Sequence, residues 1–189
     1  ETFFKTPFEV INIPKPNNSA YTAHALRNHM DLPWFELPPG YQFLHCLVNS
    51  ASGGDSSAVD GFAVGEFLKN NEKEIFDTLV SVPLKFRDMD YTQESYRGFH
   101  APAISLTKDG DFHDIRFSIA TMDVLDCRPD LMEKVYKAHR RFGKLLHDEK
   151  FQINFRLGPG DIYSFNNRRI LHGRTAFDPN SGHRHLQGY

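Results

Sequence analysis

The stretch "FQINFRLGPGDIYSFNNRRILHGR", Phe151–Arg174, reads as strand, turn, strand, turn and strand. In "FQINFRL" the residues Phe151, Ile153, Phe155 and Leu157 alternate with polar ones, which places them on one face of an extended chain. "GPGD" then turns the chain into "IYSF". "NNRR" reads as a second turn, whose asparagines tolerate unusual φ, before the strand-like "RRIL" delivers His172.

The same signals extend outward. "YQFLHCLV" is apolar and aromatic, and "HAPAISLTKDGDFHDIRFSIA" places Asp109-Gly110 between two strand-like runs, the signature of a tight hairpin needing positive φ. Helical spacing appears in "DLMEKVYKAHRRFGKLLHDE", where Leu131, Val135, Ala138, Phe142 and Leu145 share a stripe and Asp130 can cap the start. His139 and His147 on this helix are expected to face solvent, and His45 and His185 to be ordinary polar residues of strands. A weaker helix is expected over Val64–Leu79. The chain is thus mainly β with flanking helices, not a series of βαβ units.

With 189 residues, 40% of them hydrophobic and 17 of them Phe, the chain can bury a substantial core. No repeat or linker divides it, so residues 1–189 form one domain. A formal net charge of -2 gives no electrostatic reason for nucleic acid or an anionic membrane as partner, which leaves small molecules. No apolar run is long enough to span a bilayer, and the N-terminus lacks the regions of a secretory signal. Cys46 and Cys127 are far apart and suggest two buried thiols in the cytoplasm or another reducing intracellular compartment. A start without Met and an end on the strand-like "RHLQGY" lead us to expect a longer protein around this domain.

"NHMDLPWF", Asn28–Phe35, puts His29 and Asp31 two residues apart, so on an extended chain both side chains point the same way. With His172 they would offer two imidazoles and a carboxylate, which occupy one face of an octahedral metal and leave other positions open. The same donors also suit zinc in a hydrolase or isomerase. Arg184 follows His172 by twelve positions, and a buried guanidinium there could hold a carboxylate in bidentate fashion.

Taken in order, "NHMD", "PPGYQFLHCL", "GGDSSAVDGF", "GDIYSFNNRRILHGR" and "RHLQGY" resemble the catalytic domain of the gamma-butyrobetaine and trimethyllysine dioxygenases, within the wider taurine dioxygenase group. The likeness runs from about Phe4 to Tyr189. It implies a double-stranded β-helix (jelly-roll) oxygenase domain, with Fe(II) held by His29, Asp31 and His172, and O2 as oxidant. It also implies 2-oxoglutarate as co-substrate, with its distal carboxylate on Arg184 and the Ser56 hydroxyl nearby. Oxidative decarboxylation would then yield succinate and CO2 while an unactivated C–H bond of the substrate is oxidised.

On the substrate side the resemblance places Phe4, Phe8 and Tyr21 at three positions of an aromatic cage for a quaternary ammonium group. Asn18 matches a residue that contacts the substrate carboxylate. Leu32 stands where a Tyr is expected and Ser118 where an Asn is expected. Leu32 and Trp34 should make the pocket rim more apolar, which fits a related quaternary amine or an amino-acid-like substrate. Hydroxylation is the first expectation; desaturation, cyclisation and a ligand-binding β-helix without catalysis stay open, and so does a homodimer.

Overall fold

The computed structural model describes residues 7–16, 19–91 and 94–189; Phe4 and Asn18 lie outside them. In chain order the strands are β1 (Phe8–Ile11), β2 (Leu26–His29), β3 (Tyr41–Asn49), β4 (Ser52–Gly53), β5 (Ser56–Asp60), β6 (Leu84–Asp90) and β7 (Ser95–Ala101). They continue as β8 (Ile104–Leu106), β9 (Phe112–Ile115), β10 (Gln152–Phe155), β11 (Ile162–Asn166), β12 (Ile170–Arg174), β13 (Phe177–Asp178) and β14 (Arg184–Gly188). The helices are α1 (Gly61–Asn71), α2 (Lys73–Ser81) and α3 (Met132–Leu145).

Two four-stranded antiparallel sheets form the frame, in the orders β1-β14-β3-β11 and β10-β5-β12-β2. Strands from the two ends of the chain are thus interleaved in both sheets, the winding of a double-stranded β-helix. A smaller apolar cluster of Leu44, Cys46, Leu157, Phe165 and Leu186 draws mainly on the first sheet. Val59 and Leu171 of the second sheet pack into a larger cluster with Val64, Leu68, Val135, Phe142 and Leu145 of the helices. That is why "SSAV" and "LHGR" are buried along their whole length and do not alternate: β5 and β12, the two central strands of the second sheet, are covered on both faces. Complete burial of each large side chain such as Phe86 or Phe142 contributes roughly 1.5–3 kcal/mol.

The α3 stripe is confirmed, with Val135, Ala138, Phe142 and Leu145 buried. Asp130 does not cap it: α3 is entered through a 3-10 turn, Pro129–Leu131, and Asp130 pairs with Arg128. The expected helix over Val64–Leu79 is two helices broken at Glu72, with Asp60 capping α1 by accepting from Phe62 N–H at 3.0 Å. In the hairpin β8–β9, Gly110 takes φ 87° and its N–H donates to Thr107 O at 3.0 Å.

Three further expectations are corrected. Ile153 is 64% exposed, because β10 lies at the edge of its sheet and only partly faces the core. His139 stacks on Phe117 at 4.8 Å, and His147 bonds to Gly143 O and Asn28 N–H, so both turn inward, not toward solvent. Cys46 is buried but Cys127 only half so, and both are free. Among the described residues no helix is long and apolar enough to cross a membrane.

Candidate metal centre

The β2–β12 pairing brings two histidines together. His29 ends β2 and is the direct register partner of His172 in β12, which sets their ring centroids 4.6 Å apart. Past the end of β2, Met30 turns into the core at 1% exposure while Asp31 projects on the side of His29. Asp31 Oδ1 lies 3.3 Å from His29 Nε2, and Asp31 Oδ2 lies 3.9 Å from His172 Nε2. One ligand atom from each residue falls within 4.8 Å of the other two.

Each ligand candidate is held from behind. His29 Nδ1 is 2.8 Å from Arg27 O, a contact that an Nδ1–H would make while Nε2 faces Asp31. Asp31 Oδ2 accepts from Gln42 Nε2 at 2.6 Å. Asn167, 1% exposed, bonds both main-chain groups of Asp31. The "NNRR" segment is therefore more than a turn; the contact spans the fold, and local spacing carries no trace of it.

Electrostatics favour cation capture. Burial pushes His172 down to about 4, opposed by the Asp31 charge and aided by His29, so its imidazole is neutral near pH 7. Burial also lowers His29, but the hydrogen bond and charge of Asp31 outweigh it and leave that ring raised. Burial would raise Asp31, yet the nearby His172 ring and the hydrogen bonds with His29 and Gln42 hold it well below the usual carboxylate range. Two nitrogens and an ionised oxygen converging in a partly buried site fit a divalent metal held on one face.

A cavity of about 300 Å³ adjoins His29 and Asp31. Phe8, Tyr21, Leu32, Trp34 and Ser118 all line it. Tyr41, Gln42 and Tyr189 line it too; their flanking segments "PPGYQ" and "LQGY" were visible in sequence, their inward placement was not. Leu32 adopts φ 59°, a conformation uncommon for a branched apolar residue, directly after Asp31. The buried Trp34 Nε1–H has no hydrogen-bond partner among the described residues.

His172, Ser56 and Arg184 are outside that lining. Ser56 is buried in β5 opposite Arg174. Arg184, 6% exposed at the start of β14, donates Nε to Gly54 O at 3.1 Å and lies over the Phe177 ring at 5.8 Å. Burial lowers its pKa, and no carboxylate pairs with it among the described residues.

An interleaved double-stranded β-helix that gathers two imidazoles and a carboxylate beside a small-molecule cavity is a fold with side chains that could hold one metal ion. Residues 3–189 match the family described as Taurine catabolism dioxygenase TauD, TfdA family, and the chain belongs to it. It is 41% identical over 188 residues to gamma-butyrobetaine dioxygenase of Pseudomonas sp. (strain AK-1), covering 100% of this chain and 49% of that protein. It is 36% identical over 191 residues to the Homo sapiens gamma-butyrobetaine dioxygenase, covering 99% of this chain and 49% of the relative. The chain thus spans about half the length of these curated relatives. Its fold is shared with an asparagine oxygenase solved with Fe(II), 3-hydroxyasparagine and succinate, at TM-score 0.75 and 22% identity over 95% of this chain and 54% of the other.

Proposed function

We propose that this chain is the catalytic domain of an Fe(II)- and 2-oxoglutarate-dependent dioxygenase that hydroxylates an unactivated C–H bond of a small quaternary amine or amino-acid-like molecule. The observation that carries this reading is the convergence of His29, Asp31 and His172 within 4.8 Å beside an aromatic-lined cavity. These three residues would hold the metal. With iron bound, 2-oxoglutarate would be converted to succinate and CO2, one oxygen atom of O2 entering the succinate carboxylate and the other the hydroxylated product.

The remaining roles belong to the protein's own groups. Arg184 is a buried guanidinium with no ion-pair partner among the described residues, suited to the distal carboxylate of 2-oxoglutarate, with the Ser56 hydroxyl assisting. Phe8 and Tyr21 offer aromatic faces to an ammonium group, and Trp34 adds a third. Leu32 and Ser118 leave the cavity without the Tyr and Asn of the resembling pattern, which favours a substrate whose carboxylate is held differently or is absent. Two free thiols, Cys46 and Cys127, suit a reducing intracellular compartment.

The test is succinate release from 2-oxoglutarate by the complete protein with Fe(II) and O2, over a panel of gamma-butyrobetaine, trimethyllysine, other quaternary amines and free amino acids. Stimulation by one compound, lost in His29→Ala, Asp31→Ala and His172→Ala, is the expected result. Unchanged succinate formation in all three variants would overturn the assignment.

A further inference from the structure

Arg174 sits in β12 two residues beyond His172 and is 6% exposed. A buried guanidinium is costly unless its donors are satisfied. No carboxylate pairs with it among the described residues; its terminal nitrogens instead reach the main chain of one segment. It donates to Ser19 O at 3.4 Å, Ala20 O at 3.2 Å, His24 O at 3.4 Å, and Thr22 O. The Phe177 N–H adds a bond to Ala23 O at 3.1 Å, and the Phe177 ring lies 5.5 Å from the Arg174 guanidinium. Only a planar fork with five donors can gather carbonyls in this way; a lysine ammonium offers three donors from one point.

The gathered segment bears Tyr21, which lines the cavity, and runs directly into β2 with His29 at its end. Its short 3-10 turn buries no residue, so little apolar packing holds it. We propose that Arg174 is a positioning residue for the substrate: it fixes Ser19–His24, and with it Tyr21, to the strand that carries His172, so that cavity wall and metal site share one frame. The guanidinium lies outside the cavity lining, and its effect is preorganisation of the wall. This assignment rests on reading the cavity as the substrate site.

The experiment uses the complete protein with Arg174→Lys and Arg174→Met. Hydrogen exchange of the amides of residues 19–24 should accelerate by about tenfold or more in Arg174→Met, the order expected for lost charge-assisted bonds, while β3 and β5 keep their protection. Arg174→Lys should fall between Arg174→Met and the parent. The KM for whichever panel compound stimulates the parent should rise by about tenfold, with the KM for 2-oxoglutarate changed by less than about twofold.

Unaltered exchange at 19–24 in both variants, or the two KM values rising together, overturns the proposal. Should Arg174→Met fail to fold, Arg174→Lys carries the same comparison. If no compound stimulates the parent protein, the proposed function fails, whereas exchange at 19–24 still decides the role of Arg174.

Discussion

The side-chain amide of Asn167 pairs with both main-chain groups of Asp31, accepting from its N–H at 2.9 Å and donating to its carbonyl at 3.0 Å. It imitates a neighbouring strand at the point where β2 has ended, and a third bond to Pro39 O at 3.2 Å ties in the far end of the cavity loop. Asn167→Ala leaves the Asp31 main chain unpaired in a buried place, so we expect Fe(II) affinity to fall by about 10–100-fold and stability by about 1–3 kcal/mol. Asn167→Asp should do no better, because a carboxylate cannot donate to the two carbonyls. Anaerobic titration with Fe(II) or Co(II) checks this, and parental affinity in both variants would remove the role.

Arg184 depends on a glycine. At Gly54, which takes φ 76°, an added Cβ would lie 2.7 Å from Arg184 Cδ and 2.8 Å from Nε. Replacing Arg184 by Met should raise the KM for 2-oxoglutarate by about a hundredfold, the order expected for losing a charged, two-point contact. Gly54→Ala should act in the same direction and more weakly, by pushing the guanidinium aside. Steady-state kinetics with saturating substrate measure both; a KM for 2-oxoglutarate untouched by Arg184→Met would place the co-substrate elsewhere.

Leu32 forms cavity wall at the residue after Asp31, in a left-handed backbone conformation at φ 59°. Its side chain offers no hydrogen bond to a carboxylate. Leu32→Tyr supplies a hydroxyl at the same place with similar backbone strain, so the KM for carboxylate-bearing members of the panel should drop by about tenfold, with simple ammonium compounds unaffected. The fluorescence of Trp34, the single tryptophan, gives an independent binding curve in the same cavity. Equal responses from the two compound classes would show that Leu32 does not set the preference.

Much of this architecture was readable along the chain because its determinants are local. Alternation marked strands, Asp109-Gly110 marked a hairpin, and the α3 stripe marked a helix that packs into the larger apolar cluster. The His29–Asp31 spacing was readable for the same reason. What escaped are long-range facts: Ile153 is exposed only because β10 ends up at a sheet edge, and His139 turned inward because Phe117 lies across from it. Asn167 reaches Asp31, and Arg174 reaches Ser19–His24, from far along the sequence, so no motif announces them.

His139 supplies a pH dependence of stability. Its ring stacks on Phe117, its Nε2 is buried without a partner among the described residues, and burial pushes its pKa down to about 4. In the unfolded chain the same group titrates near the ordinary 6.5. Between these values the unfolded state binds the proton and the native state does not, so stability rises with pH across that window. Full stability is present above about pH 6.5, and about 3 kcal/mol is lost on descending to pH 4. His172, also pushed down to about 4, adds its own slope, so the informative quantity is the difference between the parent and His139→Leu. Urea unfolding from pH 4 to 8 should show a flatter profile for the variant below pH 6.5 and parallel profiles above it. Identical slopes throughout would mean that the native protein admits the proton at His139, with its ring free to leave Phe117.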